Sequence, residues 1–587
     1  MDDKRNLITA ILLSVLILIG WNFVAERFFP KPPPVQAASK SAAGSATAPA
    51  TSTGELAAPT AATTGAAAPA PTAQTQRSLA VALTDGPRVV IATPKLKGSI
   101  SLIGARIDDI TLTNYRQTVK DDAPPVRLFA PSGTRQAYFA SVGWTGSGIA
   151  VPDQQTLWTA SGAKLTPQVP VTLSWTNPTG QTFRIAYSID KDYLVTAKQT
   201  VTNAGTAPIS VASYAFVNRR GKPTHHEDID SWTIHVGPMG QIGGATNYEW
   251  DYTDLDEAPG NAVNFASTGG WIGFTDKYWL AAVIPSAKDK VTAEMKVGAG
   301  QLYQTNFTRA PVTIAAGQMA SQTSRIFAGA KEVNVLDDYT ERLGITRLSH
   351  AIDWGWFDII AKPIFALLDW LFNLVKNFGF AIMVLTLIIR LMMFPIAQKQ
   401  FHSMAQMRVV QPKMKELQDK YKDDKPKMQQ ELMKLYKTEK INPLAGCLPI
   451  LLQIPIFYAL YKVLMLTIEM RHQPFALWIN DLSAPDPAMV LNLFGYLDFQ
   501  PPALLGVGVL AIVLGITMWL QFRLNPTPTD PIQQQVFAIM PWMMMFMMAP
   551  FAAGLLLYWI TNNILSIAQQ QWMYRQFPAL KTAAPAK

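Results

Sequence analysis

Five apolar runs constrain this chain more than any other feature: Leu7–Ala25, Phe378–Ile396, Leu444–Ile468, Ala503–Phe522 and Val536–Ile567. Each of the first four holds roughly 19–25 residues, enough for a helix rising about 1.5 Å per residue to cross about 30 Å of hydrocarbon. The fifth is too long for one helix and is broken by "APFAAG". Splitting it at Pro550 and Gly554 predicts two short helices, residues 536–550 and 553–572, joined by a tight outer turn. The first of these, at about fourteen residues, rises only about 21 Å, so the bilayer is expected to thin around it. A chain of 587 residues that is 49% hydrophobic and only 16% charged is too apolar for an ordinary soluble protein.

Charge sets the orientation. Gln398–Asn442 holds eleven Lys/Arg against six Asp/Glu, which marks this loop as cytoplasmic. Much of the formal charge of +9 lies here, so membrane topology accounts for it and sequence-specific nucleic-acid binding is not implied. Met404, Met407, Val410, Met414, Leu417 and Tyr421 step by three or four, and Met428, Leu432 and Leu435 do so after "DDKP". That spacing predicts an antiparallel helical hairpin over 398–443. Lys413, Lys415, Lys420 and Lys422 give it a basic face suited to ribosomal RNA, to lipid headgroups or simply to water. At the N-terminus, Lys4 and Arg5 precede an apolar stretch longer than a signal peptide, with no small-residue cleavage site directly after it. Residues 7–25 therefore read as an uncleaved anchor, with 1–6 inside.

The remaining spans are then 377–397, 444–468, 503–524, 536–550 and 553–572. They leave 469–502 outside, 525–535 and the tail 573–587 inside, and both termini cytoplasmic. Residues 26–78, mostly Pro, Ala, Thr, Ser and Gln, cannot bury enough surface to offset their ordering entropy and read as a disordered tether. In 79–342 the pattern becomes short alternating runs such as "VTLSWTNPTGQTFRIAYSI", broken by Gly, Pro and Asn. These predict half-buried antiparallel strands of a large sandwich on the outer side. Residues 343–376 mix apolar side chains with Asp358, Lys362, Asp369 and Lys376, as an amphipathic helix lying in the interface would. Trp354, Trp356 and Trp370 suit headgroup depth. Cys447 is the only cysteine, which excludes intrachain disulfides; beside Gly446 at a helix start it reads as packing.

One residue breaks the pattern. Arg390 lies inside the second apolar run with no carboxylate near it, and a charge at bilayer centre costs about 2.5–3.5 kcal/mol on insertion scales. Snorkelling toward cytoplasmic water is one reading, since Lys399 lies about 14 Å further along the axis. The cytoplasmic halves of the other spans offer a second. They carry Gln453, Tyr458, Thr517, Gln521, Tyr558, Thr561, Asn562 and Asn563, and Thr386 lies one turn before the arginine itself. No Asp or Glu sits at that depth, so neither a proton relay nor a structural ion pair is supplied. A water-filled pocket holding an unneutralised cation remains.

At this point the chain resembles a known family. The stretch from "NFGFAIMVLTLIIRLMMFPIAQKQ" to "LQIPIFYALY", together with "RHQPFALWINDLSAPDP", "TDPIQQQVFAIMPWMMMF" and "GLLLYWITNNILSIAQQQ", is similar to the core of the YidC/Oxa/Alb membrane-insertase family over roughly Phe357–Phe577. The anchor, tether and outer β-domain resemble its Gram-negative form. The resemblance implies an α-helical polytopic protein of the inner membrane. Six transmembrane helices, five forming the core, accompany a large periplasmic all-β sandwich. It also implies a hydrophilic groove open to cytoplasm and lipid, with Arg390 as its arginine and Thr386 and Tyr558 touching the inserting segment. A third contact, a phenylalanine in some relatives, falls on Met547; Gln453 and Asn562 complete the expected lining. Implied partners are nascent membrane proteins, the Sec translocon, membrane lipids, and the ribosome and signal-recognition-particle pathway, although the tail "FPALKTAAPAK" is short for ribosome contact.

Insertion so described needs no enzyme activity, cofactor or metal, and "RRGKPT" lacks the glycine pattern of a P-loop. "HHEDID", His225–Asp230, has metal-ligand residue types without a partner cluster and reads as a surface loop. Asp108 and Asp109 raise the thought of a glycosidase, which sequence cannot place across a cleft. The methionines of "MPWMMMFMMAP" and the hairpin suit either varied apolar clients or plain packing. Two other functions compete. A transporter or channel for an anionic solute predicts paired repeats, and none is found. An envelope enzyme leaves most of the spans unexplained.

Overall fold

The computed structural model describes residues 76–576 apart from 224–233, 356–357, 422–423, 440–447, 498, 500, 502–505 and 525–530. The N-terminal anchor, the tether up to residue 75, His225–Asp230, Trp356, Lys422, Cys447 and the tail from residue 577 on lie outside the described residues, while 573–576 continue the last helix.

Alternating side chains build the outer domain as two facing sheets of eleven and nine strands. In Gln181–Ile189, Phe183, Ile185 and Tyr187 point into the core while Arg184 and Ser188 face solvent. This strand pairs with Leu194–Asn203, which pairs in turn with Met319–Ala330. The other sheet centres on Ile209–Arg220, between Tyr138–Ser147 and Leu302–Arg309. Two observations depart from the half-buried antiparallel expectation. Trp271–Thr275 and Trp279–Ile284 are buried at every position. Val90 and Ile91 pair in parallel with Lys164 and Leu165.

Helices take over at α1, Val333–Arg342. Next comes α2, Asp358–Val375, which packs against the two helices called α3 and α5 below. Regular helix thus occupies only the second part of the predicted interfacial segment. Trp370 is exposed there, but Trp354 is buried against Phe365, at 6.0 Å between rings, and belongs to the core. Helix α3, Phe378–Lys420, runs without interruption from the apolar span into the first arm of the hairpin. The second arm is α4, Lys425–Thr438. Lys413 meets Glu439 at 2.7 Å and Met414 meets Tyr436 at 3.8 Å, so the arms are antiparallel.

The remaining helices are α5, Leu448–Leu466, α6, Val509–Leu524, α7, Pro531–Met548, and α8, Ala553–Gln576. Helix α7 starts five residues before the predicted 536, because Pro531 provides a first-turn residue whose missing N–H costs nothing there, so it has 18 residues and rises about 27 Å rather than the expected 21 Å or so. The break before α8 falls at Ala549–Ala552. Gly554 is instead inside the helix, where a Cβ would lie 3.1 Å from the Leu482 carbonyl oxygen. Among the described residues, Phe378–Lys399 is the one segment long and apolar enough to cross a membrane, while the apolar parts of α5, α6 and α7 are shorter.

The sandwich is seated on the outer ends of these helices. Glu469, just beyond α5, accepts a hydrogen bond from the Val333 N–H at 3.0 Å, and Arg471 donates to the Arg116 carbonyl at 2.8 Å. The Lys331 ammonium reaches the Ala351 carbonyl at 3.3 Å.

Candidate functional site

Two helical stripes face each other within the bundle. On α3, Thr386 and Arg390 are four residues apart; on α8, Tyr558, Asn562 and Ser566 follow the same interval, which stacks them on one face. Arg390 spans the gap. Its Nε donates to Asn562 Oδ1 at 2.7 Å and its Nη2 to Ser566 Oγ at 2.6 Å. The Ser566 hydroxyl donates in turn to the Asn562 carbonyl at 2.6 Å. Both partners of the guanidinium among the described residues are neutral. The side chain is therefore oriented without being neutralised, and arginine does not lose its proton in proteins. Its helix turns Leu387, Leu391 and Met392 outward instead, all exposed.

Polar groups continue along the same interior. Gln453 on α5 donates to the Tyr558 hydroxyl at 3.0 Å. Asn563 on α8 donates to Thr517 Oγ1 on α6 at 3.2 Å. Thr386 is buried and returns its hydroxyl to the Ile382 carbonyl at 2.6 Å, within its own helix. Among the described residues the partners in this network are neutral, and the arginine is its one charged group.

The comparisons with known proteins decide the family. Residues 88–367 match the family model described as the YidC periplasmic domain, and residues 370–581 match that of the 60Kd inner membrane protein. The "Membrane protein insertase YidC" of Zymomonas mobilis is 46% identical over 578 residues, covering 98% of this chain and 96% of that protein. The protein of the same name from Rhizobium johnstonii is 45% identical, covering 97% and 95%. The chain belongs to the YidC membrane protein insertase family. An active YidC insertase crystal structure with its first transmembrane domain resolved aligns over 83% of this chain and 95% of that chain, at 18% identity and a TM-score of 0.34. As a YidC-family insertase, the chain is an inner-membrane protein rather than an enzyme, with a β-sandwich domain before its helical region.

Of the residues singled out from sequence, the fold brings Arg390, Asn562, Gln453 and Tyr558 together, with Thr386 one turn along α3. Met547 lies apart: it is 51% exposed on α7. On the hairpin, Lys413 is exposed and paired with Glu439, and Met414 is half-buried beside Tyr436. The side chains of Met404, Met407 and Lys415 lie outside the described residues. Asp108 pairs with Arg88 and Asp109 with Arg127, so neither carboxylate faces an open cleft as a glycosidase would need. Among the described residues no cluster could hold a metal ion.

Sequence reasoning missed one participant in this network and one buried charge outside it. Ser566 looked bland, although its spacing of four from Asn562 was the signal. Lys462, in the outer half of α5, is 2% exposed at its side chain and pairs with Asp353 at 3.0 Å. It is as anomalous in an apolar run as Arg390, but it has a carboxylate.

Proposed function

We propose that this insertase works through a hydrated groove, open to cytoplasm and lipid, in which Arg390 is the fixed cation that receives the polar tail of a newly made inner-membrane protein. The observation that carries this reading is the pairing of Arg390 with Asn562 and Ser566 and, among the described residues, with no carboxylate. A positioned, unneutralised guanidinium attracts an acidic residue about 5 Å away by about 3 kcal/mol at an effective dielectric constant of about 20. The driving force comes from the client: twenty good apolar residues gain on the order of 6–12 kcal/mol on entering lipid, so no nucleotide is needed once the tail's barrier falls. The short helix around Pro541, α7 with 18 residues rising about 27 Å, favours a bilayer thinned beside the groove.

In this reading Thr386, Tyr558, Gln453 and Asn562 line the path, and Met547 offers the client an apolar surface from α7. The hairpin, through Met404, Met407, Met414, Lys413 and Lys415, receives clients on the inner side. Six spans, with both termini cytoplasmic and the sandwich periplasmic, give the groove its orientation. The Sec translocon, the ribosome and signal-recognition-particle pathway and membrane lipids are the proposed partners.

The test is depletion of the protein while following a short single-span client with an acidic outer tail. Insertion should fail, and Arg390→Ala should fail to restore it where Arg390→Lys restores much of it. Normal insertion of that client with Arg390→Ala refutes the mechanism. Photocrosslinking from positions 386 and 558 to a stalled nascent chain locates the path.

A further inference from the structure

The loop that leads into α6 is built inside out. Pro487–Leu497, "PAMVLNLFGYL", contains no charged residue. Its one amide side chain, Asn492, is buried, with Oδ1 accepting from the Gly495 N–H at 2.8 Å and Nδ2 donating to the Pro487 carbonyl at 3.2 Å. Leu491, Leu493, Phe494, Tyr496 and Leu497 are all exposed, Tyr496 by 89%. A loop facing water turns its polar groups out and its apolar ones in. This exposure is not slack in the chain. The Val490 N–H donates to the Val507 carbonyl at 3.1 Å, the Val509 N–H to the Ala488 carbonyl at 3.0 Å and the Phe494 N–H to the Met489 carbonyl at 2.8 Å. Leu493 and Phe494 have left-handed backbone, with φ of 51° and 60°, which neither side chain favours and which persists only where the surroundings impose it. The fold therefore holds two large apolar side chains outward against their backbone preference.

The position of the loop identifies what covers it. The loop follows Arg471, whose guanidinium donates to the Arg116 carbonyl of the sandwich at 2.8 Å, so it lies on the sandwich side of the bundle. Its stem is bonded to Val507 and Val509, the residues that open α6. That helix has 16 residues and rises only about 24 Å, against about 30 Å of hydrocarbon. With Arg523, in its last turn, at the opposite interface, the start of α6 lies several Å below the outer edge of the hydrocarbon. Groups bonded to that start are at the depth where exposed leucine and phenylalanine are favoured and charge is not, and tyrosine suits the headgroup boundary. A protein partner fits less well. Protein interfaces carry about one hydrogen bond per 100–200 Å2, and the only polar side-chain group this segment exposes is the Tyr496 hydroxyl.

We propose that Pro487–Leu497 is inserted in the outer leaflet and, through its bonds to Val507 and Val509, holds the short α6 at a fixed depth. It rests on the reading of α6 as a span that starts on the sandwich side, and the experiment separates the two. In full-length protein carrying Cys447→Ser, a fluorophore is placed on Leu493→Cys, on Ile516→Cys at an exposed position of α6, or on Met319→Cys, exposed at the end of its strand remote from Lys331 and the helices. Each protein is set in nanodiscs of phosphatidylcholine. Nitroxide on the acyl chains should quench the labels at 493 and 516 roughly fivefold or more above the label at 319, and aqueous iodide should show the reverse order. Phe494→Asp should move the label at 493 toward iodide by a similar factor; the position is exposed and aspartate tolerates left-handed backbone better than phenylalanine, so folding is not at stake. Iodide reaching 493 as readily as 319, with 516 still quenched from the lipid, overturns the insertion of the loop and leaves the span standing. Iodide reaching 516 as well removes the span and the proposal with it. A label at 493 shielded from both quenchers overturns the proposal in favour of a protein cover, either a second copy or another segment of this chain. Indifference of that label to Phe494→Asp overturns it too.

Discussion

Replacing Glu469 by glutamine tests how the outer domain is held on the helices. The carboxyl sits just beyond the outer end of α5. One oxygen accepts from the Val333 N–H at 3.0 Å, and Oε2 is buried without a hydrogen-bond partner among the described residues. Burial, with smaller contributions from the nearby Glu332 and Asp369 charges, raises its pKa from 4.5 to about 7. A carboxyl whose pKa is higher folded than unfolded holds its proton more tightly in the folded state. Its stabilising contribution is therefore full below about pH 4.5 and is lost as pH rises through about 7. At about 1.4 kcal/mol per unit, the loss by pH 8 is on the order of 3 kcal/mol. Glutamine keeps an oxygen for Val333 and has no proton to lose. Hydrogen exchange of the Val333–Arg342 segment, corrected for intrinsic rate, reads the local opening. In the parent, protection should fall by roughly two orders of magnitude between pH 5 and 8. In Glu469→Gln it should be nearly flat. Equal slopes in the two proteins would show that the carboxyl is already ionised in the folded state, and the reasoning from burial would fail.

Three further outcomes follow from the geometry. Lys462 is almost fully buried whereas Asp353 keeps 28% side-chain exposure, so the two halves of their ion pair should respond unequally. Asp353→Ala strips a buried ammonium of its carboxylate and should cost about 3 kcal/mol, while Lys462→Met leaves a carboxylate that water can reach and should cost about 1 kcal/mol; thermal melts in one detergent compare them. Gly379 lies in the first turn of α3, where an added Cβ would be 2.0 Å from the Phe475 ring, so Gly379→Ala should lower stability by about 1–3 kcal/mol, with Phe475→Leu partly restoring it. Ser566→Ala removes one of two partners of Arg390 but no charge; insertion of acidic-tailed clients should fall by less than with Arg390→Ala, and an equal loss would show that orientation matters more than charge.

What was legible from sequence, and what was not, follows from the range of the interactions involved. Strand alternation and apolar run length are local properties, so the sandwich and the helical region were both readable. A lone arginine in an apolar run is a local anomaly too, and its two-sided reading, snorkel or pocket, turned on partners that no local pattern names. Asn562 and Ser566 lie more than 170 residues away, and each is an ordinary polar residue in its own helix. The start of α6 was obscured for the same reason. The apolar run begins at Ala503, yet the helix begins at Val509, because Asp486 from the preceding loop accepts the Leu510 N–H at 2.8 Å and caps the helix there. Gly508 is the residue that lets it approach, since a Cβ would lie 2.7 Å from the Asp486 side chain. The same Asp486 accepts from Trp478 Nε1 at 3.0 Å and the Ala488 N–H at 2.9 Å, so one carboxylate ties the outer loop to the helix it starts. A cap supplied by a neighbouring residue leaves a signature in the sequence; one supplied from 24 residues upstream leaves only a glycine, and a glycine alone does not say what it makes room for.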